Sequence, residues 1–225
     1  MYIAATKKNP KCVTVWWRIF KTEVVTSLMK IYDISQELFS CVVFPGDPAP
    51  KREVLSSMAE GALYNLTALS LCAHNGTHID APYHFIQDGK TVEQLSLEKT
   101  VGWAYVTQES GILTAKDADR ILARAKEAHP ESYKRILIGG KATVSEEAAS
   151  VFAAAGIDLV GNESQTVGPE DAPMQVHLTL LGAEVVLLEG IRLGGIPEGV
   201  YLLSAAPISL GGSDGAPCRA ILISV

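Results

Sequence analysis

An α/β fold built on a mixed sheet is expected from three features of this sequence. From residue 101 onward, short apolar runs of strand length alternate with stretches whose apolar residues recur at helical spacing. The first half instead holds strand-like runs and turn residues, which argues for a mixed sheet or a partly closed barrel. The chain has 225 residues, 48% of them hydrophobic and 20% charged, enough for a real core in one domain of generous size or two small ones.

Residues 1–28 read unlike the rest. They hold Lys7-Lys8 and Trp16-Trp17-Arg18, and Arg18, Lys21 and Glu23 interrupt the only apolar patch, so no secretory signal is read there. At Met29 the character changes: Met29-Lys30-Ile31-Tyr32-Asp33-Ile34-Ser35 alternates as a first strand would, and residues 30–36 are read as that strand. The domain is therefore expected to run from 29 to 225. The upstream segment is expected to be a poorly packed extension or the product of a mis-assigned start.

Cys41 to Phe44 is a second apolar run, stopped by the turn cluster Pro45-Gly46-Asp47-Pro48-Ala49-Pro50. Residues 62–74 are expected to form a long strand. Asp88-Gly89 is a turn, and Val101 to Thr107 a further strand. Thr114 to Ala128 predicts a helix, with Thr114 as N-cap, Asp117 as early negative charge, and Ile121, Leu122 and Ala125 as its apolar face. Arg135 to Ile138 is a short strand ended by Gly139-Gly140. A second helix is expected from Ser145 to Ala155, closed by Gly156. Ile157 to Val160 reads as a buried strand, Pro173 to Leu181 as a third helix, and Glu184 to Leu188 as a strand. Tyr201 to Ala205 and Arg219 to Val225 complete the sheet. Internal repeats and low-complexity segments are absent.

The net charge of −6 offers no basic patch, which excludes nucleic acid as a partner. No apolar run reaches membrane-spanning length. Cys12, Cys41, Cys72 and Cys218 are scattered without Cys-x-x-Cys spacing, as expected of reduced thiols in a cytoplasmic protein.

The chemistry concentrates in residues 73–84, Ala-His-Asn-Gly-Thr-His-Ile-Asp-Ala-Pro-Tyr-His, which contain three of the five histidines. Gly76 and Pro82 argue against a helix interior. If the stretch is extended, same-parity residues share a face, so His74, His78 and Asp80 converge with His84 close by. Burying that much polarity without partners costs several kcal/mol per group, whereas two imidazoles and a carboxylate at one point make a metal site. Two residues of the second half add to it. His177 sits among apolar residues of the third helix, and Glu189 ends an apolar strand, where a carboxylate is costly unless paired or metal-bound. With a bridging share of Asp80 they supply what a second ion needs.

The sequence from about Met29 onward resembles the cyclase-type metal-dependent hydrolases, which include bacterial kynurenine formamidase and isatin hydrolase. The resemblance rests on Asp33-Ile34-Ser35, on Phe44-Pro45-Gly46-Asp47-Pro48, and above all on His74-x-Gly76-Thr77-His78-x-Asp80-x-Pro82-x-His84. His177 with Leu180-Leu181, Leu188-Glu189 and Asp214-Gly215-Ala216-Pro217-x-Arg219 complete it. It implies a swivelling β/β/α architecture and a homodimer or homotetramer. His74, His78 and Asp80 would hold a first divalent ion, and Asp80, His177 and Glu189 a second, as zinc or manganese. His84 would act as acid–base and Phe44 would line the substrate pocket. The implied reaction is hydrolysis of an amide C–N bond, foremost in an aryl formamide such as N-formylkynurenine, as in tryptophan breakdown. Opening of a cyclic amide or lactone, and a non-catalytic metal-binding protein, are the alternatives. Phe44 stands where formamidases often have Trp, and residues 161–168 differ from the usual Gly-x-Asp-x-x-Ser-x-Asp; both departures bear on substrate.

Overall fold

The computed structural model describes residues 29–224, so the extension expected over 1–28 lies outside the described residues. The strands are β1 (Lys30–Asp33), β2 (Lys51–Ser56), β3 (Leu66–Ser70), β4 (His78–Asp80), β5 (Val101–Gln108), β6 (Gly111–Leu113) and β7 (Arg135–Gly139). They continue as β8 (Ala142–Val144), β9 (Leu159–Asn162), β10 (Val186–Glu189), β11 (Gly199–Ser204), β12 (Gly215–Pro217) and β13 (Ile221–Ser224). Three helices, α1 (Ala115–Ala128), α2 (Glu146–Ala154) and α3 (Met174–Gly182), lie between them.

Nine strands form one mixed sheet in the order β1-β13-β11-β5-β7-β9-β10-β4-β12. Its centre, β5-β7-β9-β10, is parallel, and the strands on either side pair antiparallel. The expected α/β mixed sheet is therefore present. Side-chain alternation divides its central strands between two cores. Tyr105, Ile136, Ile138, Val160 and Leu187 pack with Ile121, Phe152 and Leu180 of the helices. The intervening Ala104, Leu137, Leu159 and Leu188 pack with Ile79, Leu203 and Leu222 on the other side.

The helices form where capping chemistry and apolar period agree. Thr114 accepts from the Asp117 N–H while the Asp117 side chain reaches back to the Thr114 N–H, closing a capping box on α1. Its buried residues, Ala118, Ile121, Leu122 and Ala125, make one stripe. Ser145 caps α2 in the same way by accepting from the Ala148 N–H. Among the described residues, no helix is long and apolar enough to cross a membrane.

Three expectations need correction. The long strand over 62–74 is only β3, and it pairs with β2 in a separate two-stranded ribbon. Beyond it the chain turns: Asn75 Oδ1 accepts from the Cys72 N–H, and Gly76 adopts φ +70°. The strand read over 30–36 ends at Asp33, where the Ser35 N–H donates to Asp33 Oδ1, and the apolar run Cys41 to Phe44 pairs with no strand. The strand expected from Glu184 starts at Val186, because Glu184 takes a left-handed φ of 59° as the chain leaves α3.

Phe152 is fully buried between the helices and the sheet. Phe152→Ala is expected to cost about 3–5 kcal/mol through lost burial and the cavity left behind. Urea unfolding would measure it, and a loss under about 1 kcal/mol would contradict this packing.

Candidate metal centre

Strand register places the ionisable groups. Antiparallel pairing sets Glu189 opposite His78 and Leu187 opposite Asp80. Paired residues share a face, and Leu187 faces the helical core, so His78, Asp80 and Glu189 project beneath α3. His177, one turn into α3, comes down onto them. All four are buried, with 2% exposure or less.

Two of the imidazoles have fixed orientations. A carbonyl can only accept, so His78 Nδ1–H donates to Gly76 O at 3.1 Å and His177 Nδ1–H donates to Pro173 O at 2.8 Å. Each is left with Nε2 facing the carboxylates. His78 Nε2 lies 3.3 Å from Asp80 Oδ1 and 3.5 Å from Glu189 Oε2. His177 Nε2 lies 3.3 Å from Glu189 Oε1 and 3.6 Å from Asp80 Oδ2. These gaps are long for hydrogen bonds. They match two donors on one cation, since ligands bound at about 2.0–2.1 Å in a tetrahedron stand about 3.3 Å apart. His78 Nε2 and Asp80 Oδ2 are buried with no hydrogen-bond partner, which an ion would satisfy. The groups His74-His78-Asp80 and Asp80-His177-Glu189 each converge as a candidate cation site sharing Asp80.

His74 reaches this point differently from expectation. It stands on the turn before β4, so strand alternation accounts for His78 and Asp80 but not for His74. Its Nδ1 lies 2.9 Å from Asp80 Oδ1, and its Nε2 lies 2.8 Å from Asp214 Oδ2. Gly215 makes room for the ring, since a Cβ there would stand 2.8 Å from His74 Cε1 and 2.6 Å from Ile79 O.

His84 ends the short helical turn Pro82–His84. Its ring stacks on His74 with centroids 4.0 Å apart, and its Nδ1 lies 3.2 Å from Asp214 Oδ2. A cavity of about 230 Å³ opens over the cluster. His84, Phe44, Phe85 and Pro173 line it, with Gln165 and Thr166 as polar wall. All six residues singled out from the sequence, with Phe44, therefore border one space or lie directly beneath it.

The electrostatics call for positive charge. Burial disfavours charge on His74, yet its hydrogen bonds to Asp214 and Asp80 outweigh this and lift its pKa to about 11. Burial likewise opposes charge on His78, and Asp80 and Glu189 lift it to about 9. Burial would raise the Asp80 carboxyl, but the bonds from His74 and His78 hold it well below the usual carboxylate range. His84 moves the opposite way: burial lowers it, leaving a neutral imidazole at the cavity wall.

Two contributors were not singled out from the sequence. Asp214 appeared only within a motif, because Asp-Gly reads locally as a turn. Gln165 belongs to a network beneath the site. Its Nε2 donates to Gly76 O, the carbonyl that orients His78, and its Oε1 accepts from Gln36 Nε2 at 2.7 Å. Gln36 Nε2 and the Thr77 hydroxyl both donate to Gly190 O. Gly190 follows Glu189 with φ +69°, and a Cβ there would collide with Gln165 Oε1 and Gly76 O.

Known proteins are similar to this chain in sequence and fold. The Cyclase family model matches residues 32–169. The chain is 31% identical to a kynurenine formamidase of Erythrobacter litoralis over 87% of its length and 94% of that protein. It is 32% identical to one of Bacillus anthracis over 86% and 97%. A solved structure described as a potential metal-dependent hydrolase with cyclase activity superposes with TM-score 0.73 at 27% identity, covering 88% of this chain and 98% of that one. Isatin hydrolase A of Labrenzia aggregata shares the fold, with TM-score 0.72 at 21% identity over 87% and 93% of the two chains. The buried His/Asp/Glu cluster thus sits in a fold held in common with these proteins, and the chain belongs to the cyclase family, related to kynurenine formamidases and isatin-hydrolase-like metal-dependent hydrolases.

Proposed function

We propose that this chain is a metal-dependent hydrolase of carbon–nitrogen amide bonds, with an aryl formamide such as N-formylkynurenine as substrate. The observation that carries this reading is the pair of unpartnered buried atoms, His78 Nε2 and Asp80 Oδ2, beneath a cavity whose wall holds a further, neutral imidazole. Relatives above 30% identity along almost their whole length are kynurenine formamidases, which supports the choice of substrate.

His74, His78, Asp80, His177 and Glu189 would hold the cation. Their nitrogen and oxygen donors suit zinc or manganese. A bound divalent ion supplies Lewis acidity and lowers the pKa of water to about 7. The protein's own groups do the rest. His84, neutral at working pH, takes the proton of the attacking water and returns it to the departing nitrogen. Phe44, Phe85 and Pro173 give the cavity apolar walls that hold an aryl ring and exclude bulk water. Gln165 and Thr77 hold the backbone around Gly76 and Gly190 and so keep His78 and Glu189 in register.

Turnover of an aryl formamide by the zinc- or manganese-loaded chain, and its loss with a chelator, are expected. A cyclic lactam and a lactone assayed alongside would expose the ring-opening alternative. His84→Ala should retain metal while kcat falls roughly 10²–10⁴-fold. Full activity in that variant would remove His84 from proton transfer, and bound metal without turnover of any of the three would leave a binding protein.

Metal binding should also release protons. With His78 raised to about 9 and His74 to about 11, the metal-free site holds protons at neutral pH that an incoming cation must displace. Apparent zinc affinity should therefore rise as pH goes from 6 to 8.5. Calorimetry in two buffers of different ionisation enthalpy should register at least one proton released per ion. Zero release would contradict these imidazoles as ligands.

A further inference from the structure

We infer that Asp214 is a positioning residue whose single oxygen Oδ2 sets the ring orientation and tautomer of His84 and locks that ring against His74. The inference rests on the reading of His84 as the proton carrier and adds the group that makes one of its nitrogens available.

Oδ2 of Asp214 is within hydrogen-bond distance of two imidazoles, 2.8 Å from His74 Nε2 and 3.2 Å from His84 Nδ1. An ionised carboxylate only accepts, so both nitrogens must carry hydrogen. For His84 this leaves Nε2 as the lone-pair nitrogen, the one able to take a proton. For His74 it leaves Nδ1, the atom beside Asp80, to act as ligand. The shared oxygen also explains the close approach of the two rings, whose centroids lie 4.0 Å apart with the planes tilted by 31°.

The carboxylate is itself fixed. Asp214 O accepts from the Ala81 N–H at 2.9 Å, tying it to the residue after β4. The next residue, Gly215, pairs with Asp80 in the β12–β4 ladder. Ser213 Oγ donates to Gly215 O at 2.7 Å and holds the turn that presents the side chain. The residue that leads into one short strand therefore orients a candidate metal ligand and the candidate proton carrier together. Carboxylates behind metal-bound histidines act in this way, and their loss costs 10–100-fold in affinity or activity. Here the same oxygen serves a second imidazole that touches the cavity.

The test uses the full chain, zinc-loaded and labelled with ¹⁵N in the histidine rings. Long-range ¹H–¹⁵N spectra at pH 8 should show His84 protonated at Nδ1 in the wild type. In Asp214→Ala the His84 resonances should move to a tautomer mixture. At saturating zinc, kcat should fall roughly 10–100-fold while KM stays within about 2-fold. Asp214→Asn, whose carbonyl oxygen can accept both bonds, should keep the wild-type tautomer pattern and recover most of the lost kcat. In a His84→Ala background, Asp214→Ala should lower kcat by no more than about 3-fold further. Asp214→Ser, too short to reach either ring, replaces Asp214→Ala should the latter not fold. A wild-type tautomer spectrum with unchanged kcat in Asp214→Ala or Asp214→Ser would overturn the inference, as would an undiminished loss in the His84→Ala background. The spectra do not depend on turnover: unaltered activity in His84→Ala would sink the proton-carrier reading by itself, while the tautomer result would still judge Asp214.

Discussion

The register between β10 and β4 is the constraint on which the rest depends. It sets Glu189 opposite His78 and brings Asp80 onto the same face. A slip of β4 by one residue would turn His78 and Asp80 away from Glu189 and α3 and into the opposite core. That register is strongly determined, because the alternate residues Ile79 and Leu188 are fully buried on the other side. The hydrophobic effect, which has no chemistry of its own, thus holds three ionisable groups against one another. The desolvation that burial imposes is offset by charge of the opposite sign and by convergent donors.

Around this floor the backbone turns are matched to the side chains. Gly190 and Gly215 each stand where a methyl group would strike the site. The carbonyl of Gly76 accepts from His78 and from Gln165, so the loop over 161–168 and the histidine segment cannot shift independently. The departures from the formamidase pattern seen in that loop accordingly touch the site's support as well as its cavity wall.

What could be read from the sequence follows the range of the forces involved. Helix caps and apolar stripes are local, and α1 and α2 appear within a residue or so of their expected bounds. His78 and Asp80 were legible from parity alone, because they lie on one strand. His74 was placed near them by proximity in sequence, although a turn rather than a strand carries it there. The pairing of β4 between β10 and β12 was not legible, since its partners lie more than a hundred residues away and leave no mark on local pattern. β2 was missed for a different reason: Lys51, Arg52 and Glu53 are exposed, and a strand without a buried face shows no alternation.

The ribbon formed by β2 and β3 has a consequence for how the molecule breathes. Val54, Leu55, Leu66 and Leu69 remain largely in solvent, and a lone pair of strands is marginal in water. β7, at the middle of the large sheet, is buried throughout. Amide protons should therefore exchange early along the ribbon and last in β7, at the two ends of the range of local opening free energies. Phe44 and Asp47 border the cavity only a few residues before β2 begins. The aromatic flank of the cavity is thus tethered to the two-stranded ribbon and its floor to the nine-stranded sheet, so local opening should reach the entrance before the floor.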